Sequence, residues 1–335
     1  LVSEEKRRFG NYTFSHELVS ALLQYDRKSK YCLYLQEKYP AFDKQILAEI
    51  ITPKFGWLRL GVQLRELISP KACFLALNQA IPYYTGARII AFSHGLAPLF
   101  FPKLYPDSQN KLKQQTQAIL SKAKFVILSS EKVKQEMITQ FNLRQSVASK
   151  LVILPYGIGE LFRNARPNYK RKNLLLFVGS DHPIKNLQFL LDCFRELIKD
   201  SLFSSYKLAL VGVASHSLGF SDQENSQIIP LGHLPYKKLV KYYQEASCLL
   251  SASHYESFNL PVLEALSQNT PVVATKTAII PEFRQYVKTT PAKKEAFVKL
   301  LKNTLRYPEK VDLAKLRADF SWEAYVKKIT ALYEK

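Results

Sequence analysis

Residues 248–264 read CLLSASHYESFNLPVLE, and the rest of the chain takes its meaning from this stretch. Cys248–Ser251 is a brief apolar run of the kind that forms a buried strand. Ser253–Glu264 (SHYESFNLPVLE) leaves it as a loop and enters a helix. Pro261 is expected at the first helical position, where the missing N–H costs nothing. Glu256 then sits in the loop and Glu264 on the opening turn, so both carboxylates can face one pocket. The backbone N–H groups around Phe258–Leu260 point out of the helix start, and its partial positive charge suits a diphosphate. A carboxylate such as Glu264 can accept two hydrogen bonds from a ribose diol, and Glu256 could do the same for sugar hydroxyls. By spacing alone, the plainer reading is that both glutamates simply favour the helix dipole.

Outward from this segment, strand-like and helical runs alternate. Leu174–Val178, Lys207–Val211 and Pro271–Ala274 read as further strands of the C-terminal half. Helices are expected near Asn186–Lys199, Tyr236–Ala246, Pro261–Ser267 and Lys293–Tyr307. In the N-terminal half, Tyr31–Gln36, Arg88–Ser93, Lys124–Leu128 and Leu151–Leu154 read as strands, with helices at Phe14–Tyr25, Ser108–Lys122 and Glu131–Phe141. Such alternation implies parallel sheets covered on both faces. The Gly-, Pro- and charge-rich stretch Pro155–Lys172 separates the halves. Domains are therefore expected at 1–155 and 173–320, with a linker at 156–172 and a closing helix at 321–335. A chain of 335 residues is long enough for two cores. In open parallel sheets, ligands bind beyond the strands' carboxyl ends, so candidate site residues are those that directly follow strands.

The segment 253–264 resembles the E-x7-E motif of retaining GT-B glycosyltransferases of the family 4 type, with its E-G/S-F-G-L-P-x-x-E core. Glu256, Ser257, Phe258, Leu260, Pro261 and Glu264 match, and Asn259 stands where that family generally has Gly. Asn tolerates left-handed backbone better than other non-glycine residues. The resemblance continues in order over nearly the whole chain. Phe177–Asn186 (FVGSDHPIKN) looks like the family's phosphate loop, with Lys185 matching the lysine that neutralises the diphosphate. Many relatives have Arg where this chain has Ser180, and His182 is a weak substitute. Leu231–Leu234 (LGHL) resembles the loop whose backbone receives the nucleotide base, which puts Gly232, His233 and Leu234 in the donor set. Pro271–Glu282 resembles the strand and turn that close the donor site. Phe320–Tyr333, with Ser321, Trp322 and Glu323, matches a last helix that packs back on the other domain.

In the N-terminal half, Arg8–Tyr12 (RFGNY) resembles the Gly-rich turn before the first helix, where Gly10 lets a backbone N–H approach phosphate. Ser93–Pro98 (SHGLAP) resembles the family's His-containing loop, and the resemblance places His94 against a sugar hydroxyl. A lone His after a strand is more often structural. The implied fold is α/β, two Rossmann-like domains facing each other across a cleft. The implied reaction is metal-independent, retaining transfer from a nucleoside diphosphate sugar, with no cofactor, to a glycan or lipid-linked acceptor. In that reaction Lys185 supplies positive potential to the leaving group and Glu256 positions the sugar. Ser180 and Asn259 leave open a catalytically silent relative. A nucleotide-sugar epimerase or a phosphorylase shares the architecture, although the glutamate context fits transferases better.

The net charge is +20, with 22 basic against 11 acidic residues up to position 155 and 26 against 17 after it. A field spread over both halves suits anionic partners or plain solubility. No RNP, zinc or helix-turn-helix signature points to nucleic acid. The four cysteines are scattered without metal spacing, and buried reduced thiols are expected. No apolar run reaches the ~18 residues of a membrane span. The chain opens on what looks like the end of a strand, with no signal-peptide core. A cytoplasmic location, with peripheral contact at the inner face of an anionic membrane, is the expectation. Phe55–Leu67 (FGWLRLGVQLREL) is amphipathic and suits either such contact or a core-facing helix, the latter favoured.

Overall fold

The computed structural model describes residues 10–35, 47–50, 57–77, 79–165, 170–214 and 226–334. The chain divides into two compact units, Leu1–Gly157 with Trp322–Lys335, and Ile158–Ser321.

The second unit is built on short apolar segments with few polar interruptions. Lys172–Val178 (β7), Lys207–Val211 (β8), Ile228–Gly232 (β9), Ala246–Ser251 (β10), Val272–Thr275 (β11) and Lys288–Thr290 (β12) form one sheet in the order β12-β11-β10-β7-β8-β9. Every pairing in it is parallel. Leu175 of β7 lies opposite Leu208 and Cys248 on its two neighbours, so the sheet centre is apolar on both sides. Helix Leu187–Ile198 buries Leu187, Leu190, Leu191, Phe194 and Leu197, the i, i+3, i+4, i+7 stripe of a core-facing helix. It packs beside helix Lys294–Arg306, where the Phe189 and Phe297 rings meet edge to face at 5.4 Å. Cys193 and Cys248 are buried in this core, and burial pushes both thiols up to about 12.

The stretch 156–172, read from composition as a linker, carries the helix Glu160–Asn164. Phe162 is buried and packs edge-on against Tyr243 at 5.6 Å. Arg171 is anchored as well. Its Nη1 donates to the carbonyls of Tyr243 (2.9 Å), Gln244 (2.6 Å) and Ala246 (3.3 Å), and to Thr270 Oγ1 (3.0 Å). Nη2 donates to the Gln268 carbonyl at 2.9 Å. Helices Tyr236–Glu245 and Leu260–Ser267 end at these carbonyls. A guanidinium satisfies orphan C=O groups there and meets the negative end of each dipole. Apolar periodicity says nothing of such a clamp, which is why the stretch reads as a spacer.

In the first unit, Cys73–Ala76 (β3), Arg88–Ser93 (β4), Phe125–Leu128 (β5) and Leu151–Ile153 (β6) form a parallel sheet in sequence order. Cys32–Leu35 (β1) and Leu47–Ile50 (β2) form a separate parallel pair. The last helix, Trp322–Thr330, buries Trp322, Tyr325, Val326 and Ile329. It packs on the first helix, Gly10–Tyr25, where Phe14 meets the rings of Trp322, Tyr325, Phe92 and Tyr156. Gly157 permits this approach, because a Cβ there would lie 2.5 Å from the Trp322 backbone nitrogen.

Replacing Arg171 by Met strips hydrogen bonds from several carbonyls at once, each bond to a charged donor contributing about 1.5–3 kcal/mol. Arg171→Met is expected to lower the unfolding free energy by at least about 2 kcal/mol in urea titrations. A loss below about 0.5 kcal/mol would show that the clamp is not structural.

Candidate functional site

The loops that follow β7 and β10 come together because those strands are hydrogen-bonded neighbours. After β7 the chain turns through Gly179–His182 and a short 3-10 turn, Pro183–Lys185, before Asn186 adopts left-handed backbone (φ 54°) and starts the next helix. The His254 amide donates to the Ile184 carbonyl at 2.8 Å and joins this loop to the one after β10. Lys185 Nζ then lies 2.7 Å from Glu256 Oε1, a pair with side chains only 25% and 11% exposed. Ser253 Oγ donates to the same oxygen at 2.6 Å. Ser253 is itself held, since its carbonyl accepts from Thr277 Oγ1 at 2.8 Å.

Asn259 precedes helix Leu260–Ser267 with φ 75° and ψ 67°, the left-handed conformation that its position demands. Its side chain turns inward: Nδ2 donates to Ser251 Oγ (3.0 Å) and to the Ala278 carbonyl (2.9 Å). Asn in place of Gly therefore anchors the turn rather than crowding the helix start. The helix begins at Leu260, which corrects two sequence expectations. Pro261 takes the second position, and Glu264 opens the second turn. Glu264 is buried and accepts from the Tyr243 hydroxyl at 2.7 Å, while Glu256 pairs with Lys185, so the two carboxylates have separate partners. Phe258 is buried against Phe283 and Phe320, which leaves its backbone, not its ring, as the candidate ligand contact. Ser257 and Leu260 are half-buried at the same loop.

Ser180 is exposed and its hydroxyl accepts from the His182 amide at 3.4 Å. His182 Nδ1 accepts from the Ile184 amide at 3.2 Å. His182 thus caps the 3-10 turn that carries Lys185. Gly232 ends β9 with φ +58° and open space around its α-carbon; His233 beyond it is exposed and Leu234 half-buried. Gly212, which sequence reasoning missed, follows β8 with φ +89°, and a Cβ there would lie 2.5 Å from the Gly179 carbonyl oxygen. Its amide donates to the Gly232 carbonyl at 2.7 Å. A glycine directly after the buried run KLALV was the available signal. Ser253 and Tyr243 were also missed, and only the second left a trace: a tyrosine on a buried helix face needs a hydroxyl partner.

In the first unit, Gly10 is the first residue of its helix and is exposed; Arg8 and Phe9 lie outside the described residues. His94 follows β4. Its Nε2 lies 2.6 Å from the Leu77 carbonyl, which only accepts, so Nε2 carries the proton and Nδ1 accepts from Tyr156 Oη at 3.1 Å. Desolvation pushes the imidazole below its ordinary 6.5, against the raising effect of the Leu77 bond. Both ring nitrogens thus have protein partners. Residues 57–68 face the core on one side, where Val62 and Glu66 are buried, while Leu60, Leu64, Leu67 and Ile68 are all more than half exposed.

The model of the family described as Glycosyl transferases group 1 matches residues 160–330, which include the Lys185, Glu256 and Glu264 loops. The chain belongs to this family. Related sequences include a probable sucrose-phosphate synthase from Thermosipho melanesiensis (24% identity; 64% of this chain, 55% of that one) and an O-antigen chain mannosyltransferase B from Escherichia coli (26%; 61% and 57%). The chain thus spans little more than half the length of these curated relatives. The fold is that of GT-B glycosyltransferases. A sucrose-phosphate synthase from Thermosynechococcus elongatus superposes with TM-score 0.71 at 16% identity, covering 97% of this chain and 93% of that one. HepE from Anabaena, solved with UDP and glucose, gives 0.71 at 16% over 98% and 97%.

His94 makes stability pH-dependent. The unfolded chain takes up this proton near 6.5 and the folded protein only at lower pH, so stability falls as pH drops through that window. Melting curves from pH 7.5 to 5 are expected to fall less steeply for His94→Gln than for the parent. Identical slopes would remove His94 from the titration.

Proposed function

We propose that this protein is a retaining glycosyltransferase that moves a sugar from a nucleoside diphosphate sugar to a glycan or lipid-linked acceptor without a metal ion. The observation that carries this reading is the meeting of Lys185, Glu256 and Ser253 at the carboxyl ends of β7 and β10. Family membership, and relatives named for transfer of mannose and synthesis of sucrose phosphate, support the reaction class. The UDP held by HepE supports a nucleoside diphosphate donor.

Breaking the anomeric C–O bond leaves charge on the diphosphate, and stabilising developing charge is often the largest catalytic contribution. Lys185 provides a fixed ammonium, and the amides at the start of helix Leu260–Ser267 add the positive end of a dipole. The diphosphate takes up the Lys185 ammonium, and Glu256, held by Ser253, is left to orient sugar hydroxyls. Glu264 takes the ribose diol. In this reading the leaving diphosphate accepts the acceptor's proton on the face it departs from, which retains configuration. His94, which the family resemblance assigns to a sugar hydroxyl, has both ring nitrogens engaged within the first unit and is given no role in this reading.

A lipid-linked acceptor fits the residues that depart from core packing. Leu64, Leu67 and Ile68 share one helix face, Leu60 lies a turn before them, and an exposed Arg65 and a half-buried Lys71 lie near the stripe. Apolar side chains rimmed by cations suit an anionic headgroup layer. Among the described residues no helix is long and apolar enough to cross a membrane, so contact of this kind is peripheral.

Lys185→Ala is expected to cut turnover by about 10²–10³, the usual cost of removing a preorganised electrostatic donor. Glu256→Gln should lower turnover with little change in nucleotide affinity. Near-parental transfer by both variants would place the active site elsewhere. For the membrane contact, sedimentation with vesicles should rise with anionic lipid, fall with salt, and weaken in Leu64→Asp. Equal binding to neutral and anionic vesicles would leave solubility as the role of the charge.

A further inference from the structure

Tyr243 occupies the penultimate turn-end of helix Tyr236–Glu245 and is fully buried, with its ring packed edge-on to Phe162. It is held at both ends. Its carbonyl accepts from Thr270 Oγ1 (2.6 Å) and from Arg171 Nη1 (2.9 Å), and its hydroxyl donates to Glu264 Oε2 at 2.7 Å. Resting on the reading of Glu264 as the donor's diol contact, we infer that Tyr243 is the positioning residue of the nucleotide site. Its hydroxyl fixes the rotation of the Glu264 carboxylate and so the direction from which a ligand meets it.

The geometry supports this in three ways. A carboxylate offers about four acceptor sites on two oxygens, and a strong donor on a fixed side chain suffices to orient its plane toward a diol. Such a donor works only if it cannot move. The ring is locked by Phe162, and the backbone at Tyr243 is locked by the Arg171 clamp that also grips the end of Glu264's own helix at Gln268. The donor must also stay protonated. Burial, followed by the charge of Glu264 and its hydrogen bond, holds the phenol well above its ordinary 10, so it donates throughout the physiological range.

Tyr243→Phe keeps the ring and removes only the hydroxyl, so it isolates this role from packing. The test compares the parent, Tyr243→Phe, Glu264→Ala and the double variant. Affinity is measured by calorimetry with UDP, GDP and ADP, and steady-state kinetics with the corresponding sugar nucleotides. Tyr243→Phe is expected to weaken the preferred nucleoside diphosphate about tenfold, as for one hydrogen bond to a charged group, and to raise the donor KM similarly with kcat changed less than twofold. In the Glu264→Ala background the same change should cost less than twofold, since the carboxylate it positions is gone. The double variant lacks both partners and leaves no buried hydroxyl unpaired, so it guards against a folding artefact. An undiminished affinity in Tyr243→Phe, or an equal loss in both backgrounds, overturns the inference while leaving the donor site standing if Glu264→Ala still weakens binding. If Glu264→Ala binds every nucleotide as the parent does, the donor-site reading falls and the inference with it.

Discussion

A single backbone hydrogen bond, from the His254 amide to the Ile184 carbonyl, sets the spacing on which the site depends. It joins two loops that emerge from adjacent parallel strands. A parallel pair releases both chains at the same edge of the sheet, so segments far apart in sequence meet there. Lys185 and Glu256, 71 positions apart, reach ion-pair distance because this bond holds their loops in register. The contrast with a surface ion pair lies in the framework. Ser253 and Thr277 hold the loop that carries Glu256, and the 3-10 turn holds Lys185, so little side-chain freedom is lost on pairing.

Polar groups tie down both ends of helix Leu260–Ser267. Helix Leu260–Ser267 is entered through Asn259, whose amide ties the turn to Ser251 and Ala278, and its far end is held by Arg171 and by Gln268, which donates to the Phe162 carbonyl at 2.8 Å. Buried polar side chains that find partners rigidify a site because any displacement leaves a group unsatisfied. The two units use this device differently. In the second it orients a helix, and in the first it fixes the His94 ring between the Leu77 carbonyl and the Tyr156 hydroxyl.

The sequence made some of this legible and hid the rest for identifiable reasons. Runs such as LLLFV, KLALV and CLLS announce interior strands because both faces are buried, and Arg88–Ser93 and Lys207–Val211 appear with the expected bounds. The strands that went unread in the second unit are β9, with Pro230 inside it, and β12, a polar KTT. Both lie at the edges of the sheet, where proline is tolerated and one side of the ladder is unpaired. The residues of the segment 253–264 were visible as a pattern, but their partners were not. The Tyr243–Glu264 and Arg171–Gln268 contacts depend on which helices become neighbours, and periodicity carries no such information. Asn259 is the intermediate case: its left-handed backbone could be anticipated from residue type, its inward anchoring could not.

The glycines at the ends of β7, β8 and β9 give one edge of the second unit an unusual character. Gly212 lies so close to the Gly179 carbonyl that no side chain fits between them, and its amide passes on to Gly232. The surface there is written in peptide groups. Substitutions beside these glycines alter side chains and leave amides and carbonyls in place, whereas a substitution at Gly212 must displace the backbone itself. Drift in preference at this edge would have to come from insertions, deletions or shifts of whole loops. The glutamate-bearing loops of the unit face no such restriction, so the two regions are free to change at different rates.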